Sequence, residues 1–267
     1  MPEAVIATEV VIASDVVIFR GSRIALDTSS FQIPRGKITA IIGPNGSGKS
    51  TILHAIAGLI PIGSGTIRVL GVEPEKSQKS VSYVLQYASV PAGTPLTVTE
   101  AVQMGRYSTL GAFRRPTRTD REKVAAAMAH LEITDLAKRH LTELSGGQRQ
   151  RVYVAQGIAQ DHSLLLLDEP LTGLDLNSAK TIDKIIHDEP TRGCSVVLTT
   201  HDLEEAKAAD YVILTAGRVV ACGTPQQVLT LENLTNAYGL GALHDRDDTA
   251  TLFPTEHHHG PNGHDGP

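Results

Sequence analysis

The 267-residue chain is 41% apolar and carries a formal net charge of −5, enough to bury a substantial core as one or two domains. It has no long basic run, which speaks against a nucleic-acid partner, and no stretch near the ~18 consecutive apolar residues of a bilayer crossing. Cys194 and Cys222, each on a predicted strand, read as buried reduced thiols of a cytosolic protein rather than a disulfide or a metal site.

The apolar start over residues 5–19 is broken by Glu9 and Asp15 and lacks a cationic leader, so it does not read as a signal peptide. Residues 10–12, 16–19 and 29–33 are predicted as short strands of an antiparallel run, with turns near Gly21 and Pro34. Residues 37–42 form an apolar strand that feeds Gly43-Pro44-Asn45-Gly46-Ser47-Gly48-Lys49-Ser50-Thr51, a match to G-x-x-x-x-G-K-[ST]. In such a loop backbone N–H groups cradle phosphates while Lys49 neutralises β/γ oxygens. A helix over residues 50–58 follows, so a cation and a hydroxyl stand at a helix N-terminus, an anion site.

Residues 81–85 predict a strand ending at Gln86. Thr97 with Glu100, and Thr119 with Glu122, have capping-box spacing. On the second helix Val124, Met128 and Leu131 mark one apolar face. Residues 88–144 therefore read as an inserted helical subdomain. Within it Arg106, Arg114, Arg115 and Arg118 flank Tyr107 and Phe113, either as a solvated face or as a surface for a partner. Ser145, Gly146 and Gly147 open the next helix, where serine suits the N-cap and the helix end attracts phosphate. Residues 164–167 are a buried strand ending in Asp168 and Glu169, where an unpaired carboxylate is costly. Two successive carboxylates point different ways, one suited to hold Mg²⁺ and one to act as general base.

Residues 195–200 make another strand ending at His201, and residues 210–223 a hairpin turning at Ala216-Gly217. Strands alternating with helices predict an α/β fold with a mostly parallel sheet and chemistry at the strands' carboxyl ends. From Gly241 the composition is rich in Gly, Pro, His and Asp, so residues 241–267 read as a disordered tail. Its His244, His257, His258, His259 and His264, mixed with acids, suit zinc-like ions.

The phosphate loop together with Leu144-Ser145-Gly146-Gly147-Gln148 resembles the nucleotide-binding subunit of ABC transporters, over residues 8–240. The resemblance implies a P-loop NTPase core with an N-terminal antiparallel β-subdomain and the helical insert, binding ATP and Mg²⁺. It assigns metal contact to Ser50, Asp168 and Gln86, the general base to Glu169, and γ-phosphate contact with water orientation to His201 and Gln86. Ser145, Gly146, Gly147 and Gln148 would touch the γ-phosphate of an opposite subunit, with Asp175 on the loop crossing that interface or simply capping a helix. Phe19 is the candidate for stacking on adenine, where the family more often has tyrosine; a plain core phenylalanine is the alternative. One phosphate loop and one signature imply two copies paired head to tail.

Residues 104–107, 110–111, 113–116 and 232–239 resemble bacterial zinc/manganese importer subunits and their iron-chelate relatives. That likeness implies integral-membrane permease partners, indirectly a solute-binding protein, and a peripheral place on the cytoplasmic face of the cell membrane. Ribosome-acting ATPases would carry two cassettes. Repair ATPases would split their motifs around a coiled coil, yet only about 120 residues without heptads separate the loop from Asp168.

Overall fold

Two apolar runs without alternation, Ile38–Ile42 and Leu164–Asp168, lie in one sheet, and every residue in them is buried. A strand covered on both faces needs no polar side. The computed structural model describes residues 8–85, 95–110 and 115–239. In chain order come β1 (Glu9–Arg20), β2 (Arg23–Pro34), β3 (Ile38–Ile42), α1 (Lys49–Ile56), β4 (Ser64–Val69), α2 (Pro74–Ser77) and β5 (Val81–Val84). Next are α3 (Val98–Met104), α4 (Tyr107–Leu110), α5 (Arg118–His130), α6 (Gly146–Ala159), β6 (Leu164–Asp168) and α7 (Leu176–Thr191). The described chain ends with β7 (Ser195–Thr200), α8 (Leu203–Ala208), β8 (Tyr211–Thr215), β9 (Val219–Gly223), α9 (Pro225–Val228) and α10 (Leu231–Tyr238).

The larger sheet has six strands in the order β5-β6-β7-β3-β8-β9. All neighbours pair in parallel except β9, which returns antiparallel from β8. The two-residue period of a strand divides its side chains between two cores. Ala40, Ile42, Leu165, Leu167, Val196 and Leu198 meet α3, α5, α6 and α7. Ile41, Leu164, Leu166 and Val197 meet α1 and the smaller sheet, β2-β1-β4. Leu164, Leu165, Leu166 and Leu167 are fully buried, each contributing roughly 1.5–3 kcal/mol. The expected fold class is the one observed, and among the described residues no helix is long and apolar enough to cross a membrane.

Three local expectations change. The first two predicted strands are one, β1, with a register shift where Asp15 takes φ 50° and its N–H donates to Ser30 Oγ at 2.9 Å. The Thr97 capping box forms as read, but the second helix is capped by Thr117 and Asp120, not Thr119 and Glu122. Asp120 wins because it also meets the buried Arg106 at 2.9 Å, whereas Glu122 faces solvent with Arg118. Arg106 is therefore no surface cation: it is 4% exposed and bonds Asp120, Asp161 and the Ala159 carbonyl. Phe113 and Arg114 lie outside the described residues.

The cysteines also differ from expectation. Cys222 is exposed and Cys194 half-buried, just before β7. The Cys194 thiol donates to the His162 carbonyl at 3.3 Å, beside a buried ion pair of His162 Nε2 and Glu189 at 3.1 Å. His162 Nδ1 faces the Gln160 carbonyl at 2.9 Å. Two acceptors require hydrogen on both ring nitrogens, so the imidazole is charged. Burial opposes that charge, yet hydrogen bonds with Cys194, Glu189 and Gln160 outweigh it and hold the His162 pKa up at about 10, from an ordinary 6.5.

The charged ring's contribution is complete below pH 6.5 and is lost as pH climbs through about 10. His162→Ala leaves Glu189 buried without its imidazolium and should destabilise the protein by about 2–4 kcal/mol near neutral pH. In urea unfolding the gap between variant and parent should narrow steadily from about pH 7 to about 10. A gap independent of pH would mean that the ring is neutral.

Candidate active site

Parallel pairing sets three chain turns side by side. Ile42 of β3 is level with Thr200 of β7, and Thr199 is level with Asp168 of β6. The residues just past these ends, Gly43, His201 and Glu169, consequently share one edge of the sheet. The loop from Gly43 to Gly48 then turns into α1. Gly48 has φ 102°, and a Cβ there would lie 2.7 Å from the Ala25 carbonyl oxygen. Only glycine meets both demands. Thr215 Oγ1 donates to Ser47 O at 2.8 Å, pinning the loop to β8.

α1 has no side-chain cap and no acid in its first turn. Its free N–H groups and dipole remain available to an anion. Lys49 is buried, and its ammonium donates to the Gly43 and Pro44 carbonyls at 2.8 and 3.2 Å. Burial lowers its pKa, while the nearby Glu169 and Asp168 pull the other way. The loop borders a cleft of about 410 Å³ lined by Asn45, Gly46, Gly48, Lys49, Ser50, Thr51 and Glu169 together with Arg20, Arg23, Ile24 and Ala25 of the β1–β2 hairpin.

Asp168 is 6% exposed and accepts from Thr199 Oγ1 at 2.6 Å, Ser50 Oγ at 3.0 Å and Tyr83 OH at 3.2 Å. Burial, and then the charge of Asp168, drive the Tyr83 pKa upward, so the phenol stays a donor. Tyr83 also meets the His54 ring edge-on, with centroids 5.5 Å apart. Burial, and then the Arg20 charge, lower the His54 pKa. Glu169 has φ 44°, a strained conformation for a non-glycine residue. Its N–H donates to Thr199 Oγ1 at 2.9 Å, and its carboxylate takes Thr172 Oγ1 at 3.3 Å and lies 3.6 Å from His201 Nδ1. The twist separates the two carboxylates, one facing Ser50 and one facing His201. Tyr83 and Thr199 escaped the sequence reading. Their only signal was a polar group inside a strand, and the register that aims it is tertiary.

Ser145 caps α6: its Oγ accepts from Gln148 N at 3.2 Å, and Gln148 Oε1 accepts from Ser145 N at 3.0 Å. Gly146 is open, whereas a Cβ on Gly147 would collide with Asp175 and Ser178. Asp175 caps α7 through Ser178 N at 2.9 Å, and backbone and hydroxyl bonds from Ser178 hold its carboxyl below the usual range. It thus both caps a helix and abuts the start of α6. Ser145, Gly146, Gly147 and Gln148 are not among the residues lining the phosphate-loop cleft. Neither is Phe19, whose ring packs on Gly63, where a Cβ would strike it. Gln86 and the five tail histidines lie outside the described residues.

A family model described as ABC transporter matches residues 26–172. The manganese transport system ATP-binding protein MntB of Bacillus subtilis (strain 168) is 37% identical over 215 residues, which cover 80% of this chain and 86% of that protein. The zinc transport system ATP-binding protein TroB of Treponema pallidum (strain Nichols) is 39% identical over 224 residues, covering 84% of this chain and 82% of that protein. Among solved structures, a candidate metal-chelate type ABC transporter in an inward-facing conformation aligns with a TM-score of 0.75 at 31% identity, over 86% of this chain and 89% of that one.

Thr199 is fully buried and serves both carboxylate residues through one hydroxyl. Thr199→Val keeps the shape but strands the Glu169 N–H and removes a donor from Asp168, so it should cost about 1–3 kcal/mol in urea unfolding. Thr199→Ser keeps the hydroxyl and should recover most of that loss. Equal stability of the valine variant and the parent would refute the bridging role.

Proposed function

The chain belongs to the ABC transporter family as an ATP-binding subunit, and from that premise we propose that it hydrolyses ATP to drive uptake of a divalent transition metal. Manganese or zinc is the cargo this reading favours. The observation that carries the chemistry is the convergence of Lys49, Ser50, Asp168, Glu169 and His201 on one edge of the sheet.

In this reading Lys49 and the first-turn N–H groups of α1 hold the β- and γ-phosphates of ATP. Ser50 and Asp168 offer hard oxygen donors 3.0 Å apart, a donor set that suits Mg²⁺. When bound, that ion neutralises charge on the phosphate oxygens. Glu169 accepts the proton of the attacking water as its oxygen bonds to the γ-phosphorus and ADP leaves. His201, 3.6 Å from the Glu169 carboxylate, orients base and water. Gln86 is assigned contact with the metal and the water.

Ser145, Gly146, Gly147 and Gln148 serve the γ-phosphate of a second copy, with Asp175 at the seam. Their absence from the lining of their own chain's cleft supports a head-to-tail homodimer. Residues 88–144, the helical insert, would face integral-membrane permease subunits, which receive cargo from a solute-binding protein. The chain would then sit peripherally on the cytoplasmic face of the membrane. The cargo reading follows the manganese and zinc relatives. An iron-chelate importer is the second reading, favoured by the metal-chelate type transporter at 31% identity.

Glu169→Gln keeps shape but removes the base, so phosphate release should fall at least ~10²-fold while ATP still binds. Light scattering should then show an ATP-dependent dimer, lost when Ser145→Arg is added. Unchanged turnover, or monomers throughout, would contradict these roles.

Growth of a deletion strain under chelation should be restored by manganese or zinc. Rescue by an iron chelate alone would favour the second reading, and rescue by an organic nutrient would overturn both.

A further inference from the structure

At the ends of β6 and β7 opposite Asp168 and Thr200, three different ligand groups meet. His162, Glu189 and Cys194 bring a ring nitrogen, a carboxylate oxygen and a thiol sulfur within 4.8 Å of one another, the one such group among the described residues. ATP chemistry at the phosphate loop uses none of them. The His162 and Glu189 side chains are 5% and 3% exposed. Cys194 is half-buried, so the thiol side is the way in for a small ion.

The backbone holds the three residues in place. Cys194 N–H donates to the Glu189 carbonyl at 3.2 Å, and Ser195 N–H to the Ser163 carbonyl at 3.0 Å. Two of the ligand groups are also oriented from behind. The His162 ring gives its Nδ1–H to the Gln160 carbonyl at 2.9 Å, which turns Nε2 towards Glu189. Arg192 takes the far carboxylate oxygen, Oε1, at 3.1 Å and leaves Oε2 to the ring. A ring N–H given to a carbonyl, and a carboxylate held by a donor, are the supports that metal ligands carry around them. A buried ion pair by itself needs no thiol as third member.

We propose that His162 Nε2, Glu189 Oε2 and Cys194 Sγ form a binding site for a zinc-like divalent ion. The site is independent of the ATP reading and of the cargo, and it departs from the reading of Cys194 as an inert thiol. Mixed nitrogen, oxygen and sulfur donors suit a borderline-soft ion, whereas Mg²⁺ and Mn²⁺ prefer oxygen. Ligand atoms of a tetrahedral zinc shell stand about 3.3–3.6 Å apart. The nitrogen–oxygen distance of 3.1 Å is already close to that, so the thiol has only to turn from the His162 carbonyl towards the ring. On binding, the ion replaces the Nε2 and thiol protons, which pass to solvent, and water takes the fourth position. The bound ion ties the end of α7 to the starts of β6 and β7.

Co²⁺ added to the full chain is the probe, because a thiolate ligand gives it a near-ultraviolet charge-transfer band that imidazole and carboxylate alone do not. Cys222 is the only other cysteine, so Cys194→Ser should weaken the Co²⁺ signal at least ~10-fold and Cys222→Ser should leave it. The histidines of residues 241–267 cannot produce this band. Zn²⁺ should displace Co²⁺, while Mg²⁺ and Mn²⁺ at the same concentration should not. Zn²⁺ should also raise the urea midpoint of the parent but not that of Cys194→Ser. His162→Ala, once its own urea transition shows it folded, should lose the band; if it does not fold, the two cysteine variants decide. No band in the parent, a band that follows Cys222, or one that survives the loss of His162 would overturn the proposal. So would an equal stability gain from Zn²⁺ in the parent and in Cys194→Ser.

Discussion

A single buried carboxylate ties the candidate site together. Asp168 ends the most apolar strand of the sheet and takes hydroxyl donors from α1, β5 and β7. Left without partners, such a group would cost several kcal/mol to bury. Those donors come from three separate elements, so the position of Ser50 at the phosphate loop and that of Glu169 one residue further on are linked through one anchor. Thr199 extends the linkage, since the hydroxyl it gives to Asp168 also receives the Glu169 N–H. The strain at Glu169 is maintained by this bond and by the turn that follows.

Close approaches supply the second constraint. β2 can lie against the phosphate loop only because residue 48 has no Cβ, and the start of α6 can meet Asp175 only because residue 147 has none. The first contact brings the hairpin beside the phosphate loop, where Arg20 and Arg23 line the cleft. The second couples the exposed end of α6 to the N-cap of α7. A shift of either helix would disturb both the cap and the glycines at the start of α6.

Buried ion pairs hold the side of the molecule away from the phosphate loop. Arg106 joins the capping aspartate of α5 to Asp161 and the last turn of α6. His162 and Glu189 join the loop before β6 to the end of α7. Each pair is costly to desolvate and more costly to break, so these contacts specify geometry more than they add stability. They keep α6 seated between the helical segment and the sheet, which is what places its N-terminus beside Asp175.

Much of this was local enough to be read along the chain. The strand, glycine loop and helix around Lys49 form a contiguous pattern whose parts constrain one another within a few residues. The Ser145 and Thr97 caps need only a side chain and the third residue on. The parallel strands were legible from apolar runs, and the hairpin at Gly217 from its turn. What the sequence did not decide was set by groups distant along it. Asp120 became the cap of α5 because Arg106 reaches it, and Arg106 left the surface for the same reason. Cys194 and His162 are explained by Glu189, some 27 residues from His162. Thr199 and Tyr83 acquired roles through strand register. Register decides such roles because on a strand a one-residue step exchanges one face for the other.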